Sequence, residues 1–236
     1  MRIVNWNIAR HPPRSWQSMS LLEEIKRLSP DLICLTEAWK DSLDRFGGHI
    51  IASCGAPWSP QDADERRVLL WSPAPWTQVE HTSDFEKIGS LATGWTRIAG
   101  KEVRVVGVCI PYPFASPFEQ SPRAPQWRMH ERFVEQLMPR LRNWSAEGPL
   151  IVVGDFNRRI PRAWGSKRAY QLLIDALGDL SLATAGPVSG LEDQVIDHVA
   201  FNNHLRTINV FGRTAASDDG RERSDHPGIV VDFDHV

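Results

Sequence analysis

The chain has 236 residues, 42% hydrophobic and 24% charged, an ordinary balance for a globular domain. Its formal net charge is -2, so the overall field gives no argument for a polyanionic partner, although a local basic patch would suffice for one. Three cysteines without CxxC spacing point away from a disulfide framework or a zinc site, and no apolar run is long enough to span a bilayer. The chain opens directly on a strand-like segment without a signal peptide, so a cytoplasmic protein is expected, with no membrane insertion and no obligate protein partner.

In chain order, RIVNWNI (2–8) alternates and is rich in strand formers. SMSLLEEIKRLS (18–29) has apolar residues at helical spacing, with Pro30 just after it. DLICLTEAW (31–39) is a short apolar run, expected as a strand buried on both faces. HIIASC (49–54), RRVLLWS (66–72), LATGWTRIA (91–99) and KEVRVVGVCI (101–110) read as further strands, parted by Gly, Pro and Asp. Residues 113–126 hold four prolines and no regular period, which predicts an exposed loop. QWRMHERFVEQLMPRLRNW (126–144) reads as a helix with a kink at Pro139. PLIVVGDF (149–156) is a second fully buried strand, and SKRAYQLLIDALG (166–178) a helix closing on Gly178. DHVAFN (197–202), RTINVFG (206–212) and GIVVDF (228–233) are short closing strands, with a polar loop over 213–224. Strands outnumber helices, which suits two packed sheets flanked by helices better than one doubly wound sheet. No linker or composition break appears, so residues 1–236 are expected as one domain.

Acids and amides recur where apolar runs begin or end: Asn7, Glu37, Asp155, Asn157, Asp197, and Asp225 with His226. Each has an ordinary reading by itself. Asp155 and Asn157 suit an Asx turn, Glu37 a solvated strand end, and Asp197 a pairing with neighbouring His198. Their shared position is the signal, because a buried carboxylate without a partner costs several kcal/mol or more. These groups must meet one another, a cation, or water in a cleft.

The motifs NWNI, PDLICLTEAW, VVGDFNRR, IDHVAF and SDHPGIVVDF, in this order and spacing, resemble the endonuclease/exonuclease/phosphatase superfamily, the deoxyribonuclease I-like hydrolases. The resemblance runs from residue 5 to residue 233. It implies an α/β (α+β) four-layer sandwich, with two central mixed β-sheets flanked by helices and the active site at one rim. It also implies residue roles. Glu37 matches the principal ligand of a divalent metal, magnesium or else manganese, with Asn7 and Asp225 beside it. Asp155 matches the acid that aligns the attacking water, and Asn157 the amide that holds a phosphate oxygen. His226 matches the imidazole that stabilises phosphoryl charge, and Asp197 the carboxylate that orients it. There are two departures. Ala9 stands where many relatives carry an acid. Cys109, a poor phosphate donor, stands where a His or Tyr is common, and Tyr112 three residues on is the candidate substitute.

The family's substrates range over nucleic acids and lipids, so fold does not choose among them. RRIPRAWGSKR (158–168) has five basic residues and no acid. Arg158 and Arg162 within it are therefore candidates for substrate phosphates; a solvated helix start is the alternative. Trp164, Phe114 and Phe118 are candidates for base stacking or for loop anchoring. The expected function is a metal-dependent phosphodiesterase acting on nucleic acid. The alternatives are a small-molecule or lipid phosphoesterase, and a binding module that keeps the fold without catalysis.

Overall fold

The computed structural model describes residues 1–54, 64–80, 85, 89–116 and 123–235. Two six-stranded sheets pack face to face. The first contains β1 (Arg2–Asn7), β2 (Leu32–Trp39), β3 (His49–Ala52), β4 (Glu65–Ser72), β11 (Leu205–Arg213) and β12 (Gly228–His235), in the order β11-β12-β1-β2-β4-β3. The second contains β5 (Thr77–Glu80), β6 (Ser90–Ile98), β7 (Lys101–Cys109), β8 (Leu150–Asp155), β9 (Ser181–Leu182) and β10 (Asp197–Phe201), in the order β5-β6-β7-β8-β10-β9. Both sheets are mixed: β1 is parallel to β2 and antiparallel to β12, and β8 is parallel to β7 and antiparallel to β10.

Strand alternation sorts the apolar residues into layers. Ile3, Leu32, Val68 and Val231 of the first sheet meet Val105, Ile151, Val153 and Val199 of the second in the inter-sheet core. The intervening residues Val4, Trp6, Ile33 and Leu35 face the other way, onto helix α1 (Trp16–Arg27). Leu21, Leu22 and Ile25 give that helix its apolar stripe, and the Ser15 side chain caps its start by accepting from the Ser18 amide. On the far side, Val106, Val108, Val152 and Ala200 pack under α2 (Arg128–Glu147) and α3 (Lys167–Leu177). The result is the expected four-layer α/β sandwich.

Differences from the sequence reading are local. The α2 helix runs as one element with Pro139 inside it. Two short strands, β5 and β9, join as edge strands without a clear sequence signal. Cys34 and Cys109 are buried, and Cys54 is exposed. Phe118 lies outside the described residues.

Candidate active site

The same alternation that builds the inter-sheet core also builds the site. Ile151 and Val153 face the opposing sheet, so Asp155, two residues further along β8, does too. The argument repeats for Asn7 beyond Ile3 on β1, for Cys109 beyond Val105 on β7, and for Asp197 before Val199 on β10. In the ladder, Cys109 pairs with Asp155 and Asp155 with Asp197, which sets two buried carboxylates side by side. Like charges directly across a sheet are unfavourable. Apolar packing therefore ends at this rim in a row whose charge needs compensation.

Gly154 makes the approach of β8 to β7 close. A Cβ there would sit 1.9 Å from the Val108 carbonyl oxygen, and its φ of +142° suits glycine. Beyond it, Asp155 Oδ1 accepts from the Asn157 amide at 2.8 Å, so the Asx turn does form. Asp155 Oδ2 accepts from Asn157 Nδ2 at 2.9 Å and from Asn7 Nδ2 at 3.4 Å. Asn157 Nδ2 also donates to the Ile110 carbonyl at 2.9 Å. The ordinary turn and the site geometry thus share the same atoms.

Asp197 Oδ2 accepts from His226 Nδ1 at 2.5 Å, across 29 positions of sequence. Neighbouring His198 points to the opposite face, where Thr184 bonds its Nδ1 and its Nε2 donates to the Arg158 carbonyl, both at 2.8 Å. Ser224 ties the last motif to the first: its hydroxyl donates to the Asn7 carbonyl at 2.6 Å and accepts from the His226 amide at 3.2 Å. Nothing in the sequence singles out Ser224 beyond its place beside Asp225.

Glu37 reaches the site by breaking the rule. In strict alternation it would share the α1 face with Ile33 and Leu35. Instead it drops out of the β2–β4 pairing, with φ of +50°, while Thr36 and Ala38 keep their partners Val68 and Arg66. A left-handed backbone at a residue with a Cβ costs about 1–2 kcal/mol, and such strain tends to gather at functional sites. The carboxylate lies between two guanidinium groups, Arg67 Nη1 at 3.2 Å from Oε1 and Arg10 Nε at 3.3 Å from Oε2. Neither arginine stood out in the sequence: Arg67 is the last of three charged residues, Glu65 to Arg67, that open β4, and its burial is seen only in the structure.

The electrostatics follow from this crowding. Burial and neighbouring Asp197 push the Asp155 carboxyl well above its usual range, against the opposing pull of His226. Burial alone would lower the His226 pKa. The charge and hydrogen bond of Asp197, helped by Asp155 and Asp225, outweigh it and raise the value to about 10, so the ring is an imidazolium at neutral pH. Burial holds His198 near 4, a neutral structural ring.

A cleft of about 200 Å³ opens over these groups, lined by Glu37, Arg67, Cys109, Tyr112, Asp155, Asn157, Asp225 and His226. A second groove of about 490 Å³, lined by Arg159, Glu192 and Asp193 among others, meets the first at Asp225 and His226. The structure thus gathers Glu37, Asn7, Asp155, Asn157, Asp197, Asp225 and His226 at one rim, with half-exposed Tyr112 at its edge. Among the described residues, the ligand atoms of Asp155, Asp197 and His226 lie within 4.8 Å of one another, a spacing suited to an ion. Arg158 is not at the rim. It is buried, donates to the Ser166 carbonyl and lies 4.3 Å over the Trp127 ring. Arg162 is turned onto the Gly165 carbonyl at 3.0 Å, and Arg168 is paired with Glu131 and Glu135. Phe114 and Trp164 are exposed. Among the described residues, no helix is long and apolar enough to cross a membrane.

The profile of the Endonuclease/Exonuclease/phosphatase family matches residues 4–226. No curated protein sequence matches the chain. Among solved structures, the human Nocturnin catalytic domain with a bound sulfate anion superposes with a TM-score of 0.71 at 18% identity, covering 100% of this chain and 93% of that one. An AP endonuclease from Archaeoglobus fulgidus superposes at 0.69 with 15% identity over 99% of both chains. A mannosyl-6-phosphatase from Bacteroides thetaiotaomicron gives 0.68 and 12%, over 99% of this chain and 98% of that one. At such identities the likeness speaks for the fold. The family match, which spans every gathered site residue from Asn7 to His226, speaks for more: this chain belongs to the Endonuclease/Exonuclease/phosphatase family, whose members are hydrolases of phosphate esters and generally use divalent metals.

Proposed function

We propose that this chain is a divalent-metal-dependent phosphodiesterase that hydrolyses nucleic-acid phosphate esters, working as a single-domain cytoplasmic enzyme without an obligate protein partner. One observation carries the reading: the charged Asp197–His226 pair stands beside the Asp155–Asn157 pair where two grooves meet. A diester has substituents on both sides of its phosphorus, and two grooves joined at His226 offer room for both.

The residues fit a hard cation such as magnesium, with manganese as the substitute. The donors are mainly carboxylate and amide oxygens. Asp197 Oδ1 is buried without a hydrogen-bond partner. The imidazolium of His226 balances one charge of the Asp155–Asp197 row, and a cation would balance the other. Glu37, with Asn7 and Asp225, would hold the ion from the cleft side. When bound, the ion would neutralise phosphoryl charge and lower the pKa of water. Asp155 aligns the attacking water and takes its proton. The imidazolium of His226 donates to a phosphate oxygen, and Asp197 keeps the ring in one orientation. Asn157, whose two Nδ2 hydrogens go to Asp155 Oδ2 and the Ile110 carbonyl, holds Asp155 in place and would reach a phosphate oxygen only by giving one of them up. Tyr112 extends the contact surface at the rim, and Arg162, outside the lining of both grooves, would meet only a substrate that runs beyond them.

Support for nucleic acid comes from two exposed aromatic groups, Tyr112 in the cleft wall and Phe114 two residues on, which suit stacking on bases. A small-molecule or lipid phosphoester is the second reading. It is favoured by the internal use of Arg158 and Arg168, which leaves the basic stretch with less charge for a long polyanion. The test is magnesium-dependent turnover of bis(4-nitrophenyl) phosphate, then of single-stranded DNA, RNA and lipid vesicles, by wild type and Glu37→Gln. We expect diester turnover in the wild type and a loss of about a hundredfold or more in the variant. Full activity of Glu37→Gln would refute the metal assignment. Absence of turnover on every substrate would favour the non-catalytic binding module.

A further inference from the structure

The geometry points to Arg67 as a phosphate-gripping residue, which supplies from the opposing sheet the donor that position 109 lacks. This rests on the hydrolase reading above and names a contact to its substrate. Arg67 belongs to β4, where the flanking β-rich sequence RRVLLWS packs mainly apolar side chains. Yet it is a buried arginine in the wall of the catalytic cleft.

Its partners are few. Nη1 donates to Glu37 Oε1 at 3.2 Å, and Nε is buried with no partner. Among the described residues, Nη2 makes no hydrogen bond either. Two other buried arginines, Arg104 and Arg158, also leave Nε without a partner, but neither lines the cleft and both are engaged elsewhere. Arg104 gives one Nη to Glu80 and the other to Glu147, both at 2.8 Å, and lies over Trp95 and Trp144. Arg158 is spent on Ser166 and Trp127. The ion pair of Glu65 is with Arg10, at 3.0 Å, and not with Arg67. Nε is enclosed, so it is the terminal nitrogens, Nη2 above all, that Arg67 keeps for an anion in the cleft. A guanidinium presents such groups as a planar fork, which matches two non-bridging phosphate oxygens and stays charged at any working pH.

The approach of the two sheets explains why an arginine on β4 stands in for a residue on β7. Gly107 lets β7 pack against β4; a Cβ there would lie 2.6 Å from Val68 Cγ1. Cys109 follows Gly107 by two residues and shares its face, whereas Arg67, next to Val68, has the parity of the α1 side; it reaches the same cleft where the β2–β4 pairing is interrupted at Glu37. Burial, with nearby Asp155, holds the Cys109 thiol well above its ordinary pKa despite the opposing charge of Arg67. Cys109 thus remains a neutral thiol and a weak donor.

The test uses inorganic phosphate as the probe, with magnesium present, on the whole chain. Binding is followed by calorimetry, and inhibition by competition with bis(4-nitrophenyl) phosphate. Arg67→Ala should bind phosphate about 10- to 100-fold more weakly, and Arg67→Lys, which keeps the charge but not the fork, about 10-fold. Added guanidinium at millimolar concentration should restore phosphate affinity to Arg67→Ala, while the magnesium midpoint stays within about twofold in both variants. If Arg67 merely positions Glu37, the magnesium midpoint would rise and account for the whole loss; that result, or unchanged phosphate affinity in both variants, overturns the inference. Should Arg67→Ala fail to fold, Arg67→Lys decides by the same two readouts. Wild type that binds phosphate but turns over no ester would sink the hydrolase reading and leave the Arg67 contact standing. Wild type that turns over esters without binding phosphate would do the reverse.

Discussion

Replacing Asp197 by Asn removes one charge from the Asp197–His226 pair and keeps its shape. In the native protein the imidazole pKa stands at about 10 against an ordinary 6.5. At 1.36 kcal/mol per unit, that is about 5 kcal/mol of preference for the charged ring. The gain survives a burial penalty that acts the other way, so Asp197, whose carboxylate is 2.5 Å from Nδ1, supplies most of it. In Asp197→Asn the burial remains and only the weaker pulls of Asp155 and Asp225 oppose it. The ring should then titrate at about 7 or below, and the charged fraction at pH 8 should fall from about 99% to about 10% or less. An NMR titration of the His226 ring in the metal-free protein reads this directly. The alkaline limb of the pH–rate profile should move down with it. Stability follows the same sign. A histidine whose folded pKa is raised contributes stability that is fully present below about pH 6.5 and is lost as the pH rises through about 10. Urea midpoints of wild type should therefore decline across that window, and those of Asp197→Asn should decline much less. Functionally, the Asp197→Ala/His226→Ala double variant should lose little more turnover than His226→Ala, because the two act as one unit. A ring still titrating near 10 in Asp197→Asn, or fully additive losses in the double variant, would refute the reasoning.

Basic residues in the 158–168 stretch should separate into two groups. Arg158→Ala, which removes a buried guanidinium stacked on Trp127, should cost about 2–3 kcal/mol in urea unfolding without changing the salt slope of nucleic-acid binding. Arg162→Ala and Lys167→Ala should leave stability nearly unchanged. If nucleic acid is the substrate, each should lower the salt slope by about 0.7 to 0.9, and an unchanged slope would favour the small-molecule reading. Gly154→Ala places a methyl group against the Val108 carbonyl oxygen and should destabilise by about 4 kcal/mol or more. A soluble variant with a wild-type urea midpoint would show that β7 and β8 separate more freely than their ladder implies.

Much of the site was legible along the chain. Alternation in RIVNWNI and PLIVVGDF already assigns Asn7 to the face of Ile3 and Asp155 to the face of Val153, and apolar spacing over 18–29 marks α1, although its start at Trp16 and its Ser15 cap were seen only in the structure. The exceptions are residues whose direction departs from their local period. Glu37 has the parity of the helix-facing side and reaches the cleft through a left-handed backbone, which sequence alternation cannot signal. Arg158 sits among surface-like basic residues but turns inward, because Trp127, thirty-one positions earlier, lies beneath it. Ser224 looks like loop filler until its hydroxyl is seen to join Asn7 and His226.

What the sequence by itself determined is therefore short-range: strand and helix periods, the faces of regular strands, and the chemical types at their ends. Backbone geometry dictates each of these within a few residues. Tertiary structure alone decided which strand ends meet. Register sets Asp155 opposite Asp197, and the packing of one sheet on the other brings Arg67 to Cys109 and Asn7 to Asp155. These contacts join residues 42 to 148 positions apart. Their existence depends on burying the inter-sheet core as a whole, and no local pattern encodes that sum.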